Sequence, residues 1–583
     1  LASRSAAPWN FTENRSTETR SLVGVLFASV GSVPLRKLKV GVLELLADSA
    51  TQNWGTRYYG SKFKRHYASI MPQAVAVWCR QLGHHVTYAT YYGQADPRSL
   101  LPDQLDVVFV STYTQASATA YALAKLFRRD RTLTVLGGPH ARSFPTDSLR
   151  FFDLVVHECD KALVDEILRG AFERGTTISS HRTLTEIPSV EERLPDLRRA
   201  SLTEGRRPLA ANVALLTSVG CPYTCGFCVD WNNPYAAVPR ERLEEDLRFV
   251  SKNLPGVFVS YHDPNFGVQF DQTLDAIESV PPGARNPYIM ESSLSIMKGP
   301  RLKRLRESNC FYVAPGVESW DDYSNKAGVG TQVGWEKVAR VVSHFQEIHE
   351  YVPNLQANFI FGSDVDRGEE PVRMTQEFIR QVPYVWPTIN IPVPFGRTPL
   401  YDSYRADGRI LTALPFSFYY MPHLVTTLKH YEPIDYYDKL IQIYSSANSL
   451  GHLRRRLSST PDNALRVLYV LRTLALQATL SKLRRARERL QQDQEFRAYH
   501  DGKTQRLPTY YRRFYASKLG RYAELISEAE STPEMEPPLA PGAHGTPEPV
   551  GVADPGIASD RPHPVPELRP ATAPGLIIPA LQD

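Results

Sequence analysis

Apolar runs of strand length alternate with amphipathic stretches of helix length through most of the chain before residue 410, and this alternation limits the fold more than any other feature. From Leu38, KVGVLELLAD reads as a buried strand, PQAVAVWCRQLG as a helix ending at Gly83, and HHVTYATYY as a second strand. The same grammar repeats in DVVFVST, the helix SATAYALAKLFRR, TLTVLGGPHA and DLVVHE, and closes on the helix KALVDEILRGAFERG. Strands separated by helices form parallel sheets, so residues 37–172 are expected to be a doubly wound, Rossmann-like α/β domain. Ligands of such sheets sit at the carboxyl ends of the strands, where this segment places Ser111, Thr112, Gly137, Gly138, Pro139 and His140. A glycine pair there either admits a ligand to the backbone or makes a tight turn, and the local sequence leaves both readings open.

Residues 173–208 are polar, without a sustained apolar period, and read as a linker. A second series then runs over 209–410. NVALLTSVG, GVFVSYHD, NPYIMESSLSI, CFYVAPGVES, NLQANFIFGS and TINIPVPFG are six candidate strands, separated by helices such as RERLEEDLRFVSKNL and GWEKVARVVSHFQEI. Six β/α units make a partial barrel with its chemistry at the C-terminal strand ends. Residues 411–530 turn helical and basic; within them, 452–521 carry seventeen Lys/Arg against five Asp/Glu, so the rest of this +5 chain is mildly acidic. The simplest reading of that charge is a solvated helical face. Residues 1–36 show no clear pattern, and 531–583, with thirteen prolines, are expected to be disordered.

Three of the six cysteines stand together in SVGCPYTCGFCVDW: Cys221, Cys225 and Cys228, spaced C-x3-C-x2-C in a loop leaving the first barrel strand. That is not a disulfide framework, and no run approaches the length of a membrane span, so a reducing cytoplasm is expected. Three soft thiolates suit an iron–sulfur cluster, zinc or copper(I). A closed zinc site needs a fourth ligand, which only distant residues such as His262, Cys159 or Cys310 could supply. On a four-iron cluster, three cysteines leave one iron open to a substrate or cofactor.

The cysteine loop, with Phe227 before its last cysteine and after the first strand of a six-unit barrel, resembles that of the radical S-adenosylmethionine superfamily. The resemblance implies that Cys221, Cys225 and Cys228 hold a four-iron four-sulfur cluster whose open iron binds S-adenosylmethionine. The reduced cluster then cleaves that cofactor to a 5′-deoxyadenosyl radical, using electrons from an external donor of flavodoxin or ferredoxin type. HDPNFGV, APGVESWDD with Lys326, FIFGSDVD and PVPFGRTPLYD resemble later landmarks of the cobalamin-binding branch, and the likeness covers about residues 37–425. In that branch the preceding domain holds cobalamin, which MPQAVAVWCRQLGHHV, VLGGPHA and DLVVHE match. Two features depart from the pattern: ADSATQNWG lacks the Asp-x-His-x-x-Gly that supplies a lower axial histidine, and HECD replaces a GEGE-like turn.

By the same resemblance, Phe227, Asp263, Asn265, Glu318 and Ser319 would line the S-adenosylmethionine pocket, and Ser111, Thr112, Gly137, Gly138, Pro139 and His140 the cobalamin edge. Asp263 could equally cap a helix, and Glu318 could pair with a barrel arginine or Lys326. Trp231, Tyr235, Tyr261 and Trp320 are read mainly as core, and His423 and His452 as structural. The expected activity is cobalamin-dependent methylation of an unactivated carbon or phosphorus of a small molecule or lipid. A radical rearrangement or ring closure is the alternative, and a zinc-stapled binding protein the alternative from another class. Nucleic acid is not an expected partner, because the arginine-rich helices carry leucines at core spacing.

Overall fold

In the computed structural model, which describes residues 36–51, 54–55, 58, 68–180, 186–202, 211–323 and 332–539, the first strand series forms one parallel sheet of six strands. Almost all of residues 1–36, together with Lys326, lie outside the described residues, and the chain divides into compact units at Lys37. The elements below belong to the unit beginning at Leu38. β1 (Lys39–Leu45), β2 (His85–Tyr91), β3 (Val107–Thr112), β4 (Leu133–Gly137), β5 (Leu154–Val156) and β6 (Thr176–Ile178) lie in the order β2-β1-β3-β4-β5-β6. Every residue of β1 after Lys39 is buried, because helices cover both faces. The two faces carry separate apolar clusters: α1 (Ile70–Gln81) and α5 (Lys161–Leu168) pack with Val40, Val42 and Phe109 on one, while α2 (Ser117–Arg129) and the short α3 (Pro139–Ser143) and α4 (Pro145–Leu149) pack with Leu43, Val108 and Leu136 on the other.

The described residues of the polar stretch read as a linker include a strand and a helix. β6 completes the first sheet, and α6 (Val190–Ala200) starts at a capping box between Ser189 and Glu192. Arg193 on α6 is fully buried; its Nη1 donates to Gln73 Oε1 (3.2 Å) on α1 and its Nη2 to Ala214 O (3.2 Å) in the next sheet. The residue that docks this segment is an arginine, so hydropathy gave no sign of burial.

The second sheet is the open, all-parallel wall of the six-unit barrel. Its strands are β7 (Asn212–Leu215), β10 (Phe258–Tyr261), β11 (Tyr288–Met290), β12 (Cys310–Val313), β14 (Asn354–Ile360) and β15 (Val385–Asn390), in that order. A two-stranded hairpin, β8 (Ser218–Val219) with β9 (Ala236–Ala237), stands after β7. β13 (Gly316–Glu318) continues the line of β12 past Pro315 and pairs with the upper half of β14. α7 (Arg240–Asn253), α8 (Phe270–Glu278), α9 (Pro300–Glu307), α10 (Gly334–His349) and α11 (Glu370–Gln381) connect the strands. The last strand starts at Val385, three residues before the expected TINIPVPFG; it takes in Pro387, which an edge strand tolerates.

After α12 (Pro399–Ala406) the chain is helical, with α13 (Pro433–Ala447), α14 (Leu450–Ser458), α15 (Asn463–Gln492), α16 (Gln494–His500) and α17 (Thr509–Leu519). Part of the basic charge is internal. Arg456 and Arg472 are buried, each guanidinium within 5.5 Å of the Trp386 ring centroid, and Arg472 donates to Asn354 Oδ1 (2.9 Å). His423 and His452 are buried as well. Among the described residues no helix is long and apolar enough to cross a membrane.

The expectation of disorder from residue 531 fails for its first nine residues, which strap the first sheet's layer to the barrel. Glu534 N donates to Asp147 Oδ1 (2.8 Å), Thr146 N and Oγ1 donate to the Glu536 carboxylate (2.8 and 2.9 Å), Tyr401 Oη donates to Glu536 O (3.1 Å), and Leu539 N donates to Asp402 Oδ2 (3.0 Å). Composition misses such a segment because polar bonds, not apolar burial, hold it; residues 540–583 lie outside the described residues. Burial raises the Glu536 carboxyl from 4.5 to about 7. A carboxyl raised on folding contributes stability that is complete below its unfolded value and lost as pH rises through its folded one. The wild type is therefore expected to lose stability between pH 4.5 and 7 through this group. Glu536→Gln should flatten that part of a melting-temperature profile, and Thr146→Val, which removes one donor, should cost about 1 kcal/mol. An unchanged profile in Glu536→Gln would refute the assignment.

Candidate active site

The cysteine loop is pinned at its root, its middle and its far end. At the root, buried Asp263, just after β10, accepts from Thr217 N (3.1 Å), Thr217 Oγ1 (2.6 Å) and Ser218 Oγ (2.7 Å). β8 and β9 then close the neck of the loop. At Gly220, with φ +68°, a Cβ would lie 2.6 Å from Asn233 O and collide with Pro234 O, so only glycine lets the two sides of the neck meet. Within the loop, Cys228 N donates to Cys225 O (2.9 Å) and Cys221 N to Asn233 O (3.2 Å). Tyr223 Oη lies 3.1 Å from Ser295 Oγ beyond β11, and Leu400 N on α12 donates to Gly226 O (2.9 Å). The thiol of Cys221 is buried and those of Cys225 and Cys228 are half-buried.

Among the described residues no three His, Cys, Asp or Glu side chains are gathered into a cation cage, the three loop cysteines included. Each of the distant candidates for a fourth ligand is occupied elsewhere. Cys310 is buried on β12 and Cys159 lies beyond β5, each thiol pushed up to about 12 chiefly by burial. His262 is held down to about 4 by burial and the nearby Arg193. Three soft donors spaced C-x3-C-x2-C on one pinned loop are the donor set that suits a four-iron cluster with one open iron.

Around this loop the structure separates the residues expected to meet S-adenosylmethionine. Phe227 stacks on Tyr323, with centroids 5.1 Å apart and planes 3° from parallel. Asp263 does not cap a helix; its oxygens are taken up by the loop root, which makes it a positioning residue. Asn265 is buried, and its Nδ2 has no partner among the described residues, an orphaned donor that suits a ligand oxygen. Glu318 is buried at the end of β13 with φ +66°. Ser319 Oγ donates to Asp366 Oδ1 (3.4 Å). Asp366, raised to about 6 by burial, also accepts from Gly362 N (2.9 Å) and from Ser363 N and Oγ (3.0 and 2.9 Å), tying the end of β13 to that of β14.

The expected cobalamin edge divides in the same way. At Gly138, with φ +91°, a Cβ would stand 2.9 Å from Ser111 Oγ and 3.0 Å from the Thr112 backbone, so this glycine serves the turn, while a Cβ at Gly137 would meet open space. The tight turn of the pair is thus made at Gly138. Thr112 is buried with Oγ1 donating to Tyr113 O (3.0 Å), and Pro139 opens α3. His140 is not at the edge. It is fully buried between Phe144 and Phe416, pushed down to about 3 by burial, with Nε2 2.7 Å from Tyr121 Oη.

The C-terminal edges of the two sheets are clamped together beside the cysteine loop. Arg142 on α3 reaches Glu158 after β5 (3.0 Å) and Asp230 just beyond Cys228 (2.7 Å). Trp231 Nε1 donates to Arg397 O (3.0 Å), and Arg397 Nη1 lies 2.7 Å from Nε2 of His157, a ring held down to about 4 by burial and by Arg397 and Arg142. A cavity of about 490 Å3 opens there, lined by His157, Leu163, Phe172, Ile178, Ser179 and Arg397. Its lining mixes apolar side chains with polar and charged ones. Sequence reasoning missed the clamp residues, since Arg142, Asp230 and Arg397 look like surface charges until the sheets meet.

Comparison with known proteins agrees with this geometry. Residues 215–365 match the radical SAM superfamily. Over 405 residues, 66% of this chain and 86% of the other, the chain is 22% identical to the bacteriochlorophyllide d C-8(2)-methyltransferase of Chlorobaculum tepidum. It is 25% identical over 286 residues to the hopanoid C-2 methylase of Rhodopseudomonas palustris, covering 47% of this chain and 53% of that one. Among solved structures, that of the radical S-adenosylmethionine methyltransferase TsrM from Kitasatospora setae, with cobalamin and a [4Fe-4S] cluster bound, aligns with a TM-score of 0.50 at 12% identity. The alignment covers 78% of this chain and 99% of that one, and shows a shared fold.

Asp263→Ala strands two hydroxyls and a backbone N–H in the interior, at an expected total cost of about 2–4 kcal/mol. It should also lower the iron retained per chain after anaerobic reconstitution, with Asp263→Asn recovering part of both. Wild-type stability and iron content in Asp263→Ala would show that the loop does not depend on this carboxylate.

Proposed function

From the premise that the chain belongs to the cobalamin-binding branch of the radical S-adenosylmethionine superfamily, we propose that it methylates an unactivated carbon, or phosphorus, of a small-molecule or lipid substrate. It is a radical enzyme using a four-iron four-sulfur cluster, S-adenosylmethionine and cobalamin. When bound, the cluster supplies the electron that cleaves S-adenosylmethionine and cobalamin carries the methyl group. The observation that carries the reading is the cysteine loop, held at the mouth of a partial barrel and clamped by Arg142 to the edge of a doubly wound sheet.

In this reading the chain's own residues bind, orient and shield. Cys221, Cys225 and Cys228 hold the cluster. Asp263, Tyr223 and Gly220 keep their loop in place, so little reorganisation accompanies binding. The Asn265 amide and the Glu318–Ser319 end of β13 meet the polar parts of S-adenosylmethionine, with Asp366 fixing that end. Phe227, stacked on Tyr323, helps exclude water from the loop. Ser111, Thr112 and the Gly137–Gly138 turn form the cobalamin edge, Gly137 giving the cofactor access to the backbone. His157, uncharged and beside Arg397, closes one wall. An external reductant of flavodoxin or ferredoxin type supplies electrons, and the work is biosynthetic and cytoplasmic. The relatives' named substrates, a bacteriochlorophyllide and a hopanoid, support a large apolar acceptor.

Electron paramagnetic resonance of the reconstituted, dithionite-reduced protein should show a cluster signal that shifts on adding S-adenosylmethionine and is lost when all three cysteines are changed to Ala. With methyl-labelled S-adenosylmethionine, label should enter the product. Stoichiometric zinc without iron would overturn the enzyme reading. Cofactor cleavage that leaves product unlabelled would replace methyl transfer with a radical rearrangement or ring closure.

A further inference from the structure

Among the described residues ten large apolar side chains are exposed, and five of them fall on one helical hairpin formed by α14 and α15: Leu450, Val467, Val470, Leu471 and Leu474. Single exposed apolar residues need no explanation, but a concentration of this kind marks an interaction surface. The four on α15 follow the i, i+3, i+4, i+7 spacing of one helix face, with Leu474 61% and Val467 53% exposed. The opposite face, through Leu465, Leu468, Leu476, Leu480 and Leu483, is buried in the protein. The helix is thus apolar on two sides, and only one is covered. Leu450, 86% exposed, starts the antiparallel partner helix. Buried His452 and Arg456 lie across α14 from Leu450, which therefore faces outward, and at about 1.5 Å of rise per residue it stands about as far from the hairpin turn as Leu471 does.

Charge identifies the occupant. Arg454 is one turn from Leu450, Arg466 one turn from Val470, and Arg485 lies further along α15 on the line from Leu474 through Ala478. All three are exposed, and none is ion-paired with a carboxylate among the described residues, although Arg466 Nε donates to Leu457 O and Thr460 O at the hairpin turn and Arg485 to Ser481 Oγ, whereas Arg487 on a neighbouring face pairs with Asp438 (2.6 Å). An apolar centre between unneutralised arginines, which can bury their stems while keeping their heads in water, matches the boundary between the acyl chains and headgroups of an anionic bilayer. A second copy of this chain would bring arginine against arginine. We propose that the outer face of the α14–α15 hairpin docks on a membrane surface bearing anionic lipid. The contacts of Arg456 with Pro383 O, before β15, and of Arg472 with Asn354, first in β14, put the hairpin at the N-terminal end of the barrel strands. Docking there leaves the cysteine loop, at the opposite end, uncovered. This inference goes beyond the methyl-transfer reading and does not depend on it.

The test is flotation of the full-length chain with vesicles of phosphatidylcholine alone or with one quarter phosphatidylglycerol. Wild type should partition at least about tenfold more strongly onto the anionic vesicles, and moderate salt should weaken the binding. Val467→Gln/Leu474→Gln should lose about tenfold or more of it, with unchanged circular dichroism because both sites are exposed. Arg454→Gln/Arg485→Gln should lose the preference for anionic lipid. Failure of the wild type to float with either vesicle overturns the proposal. So does a wild-type dimer that Val467→Gln/Leu474→Gln converts to monomer, which would make a second copy the occupant, or retention of RNA without retention of vesicles.

Discussion

The buried guanidinium of Arg193 fixes the relation between the two sheets on which the rest of the structure depends. Burying such a group is costly unless its donors are satisfied, and the acceptors that satisfy it lie on different parts of the chain: Pro188 O, Gln73 Oε1 on α1 and Ala214 O in β7. Burial holds its pKa down to about 10, and the nearby Asp246 carboxylate works against that shift. A displacement of the barrel relative to the first sheet would break these bonds and leave a charge in the interior. The Arg142 clamp at the strand ends and the strap at residues 531–539 hold the same arrangement from other sides.

With the sheets held so, each presents its C-terminal strand ends to the other, and the chemistry-bearing loops of both collect in one place. A radical reaction of this class needs its cluster, its sulfonium cofactor and its methyl carrier close together and shielded. The arrangement meets that need by rigidity: the cysteine loop is bound by Asp263, Tyr223 and the β8–β9 neck. Glu318 and Arg397 are two of the five non-glycine residues with positive φ among the described residues, and both stand at this junction. Such backbone persists only where its surroundings over-determine it, as they tend to do at functional sites.

Much of this was legible in the sequence. Helix α2 matches its expected stretch, SATAYALAKLFRR, residue for residue, since its 3.6-residue period and flanking signals are local properties. The three cysteines were legible because soft-ligand chemistry at short spacing needs no long-range information. Asp263 was found as a site residue but with another role, because its partners Thr217 and Ser218 are more than forty residues away. His140 stands beside the glycine pair in sequence, yet only the packing of Phe144 and Phe416 shows its ring to be internal.

The sequence by itself determined the two parallel sheets, the partial barrel and the likeness of the cysteine loop to the radical S-adenosylmethionine superfamily that residues 215–365 match, all of which follow from short-range periodicity and the spacing of neighbouring residues. Only the tertiary structure decided which polar groups are interior. Arg193, Arg456, Arg472, Asp366 and Glu536 look like surface residues in the chain and are buried in the fold, while Val467, Leu471 and Leu474 look like core and are exposed. The physical reason is that burial of a polar group depends on partners supplied by distant segments, and burial of an apolar one on whether a neighbour arrives to cover it. Neither is written in the local pattern.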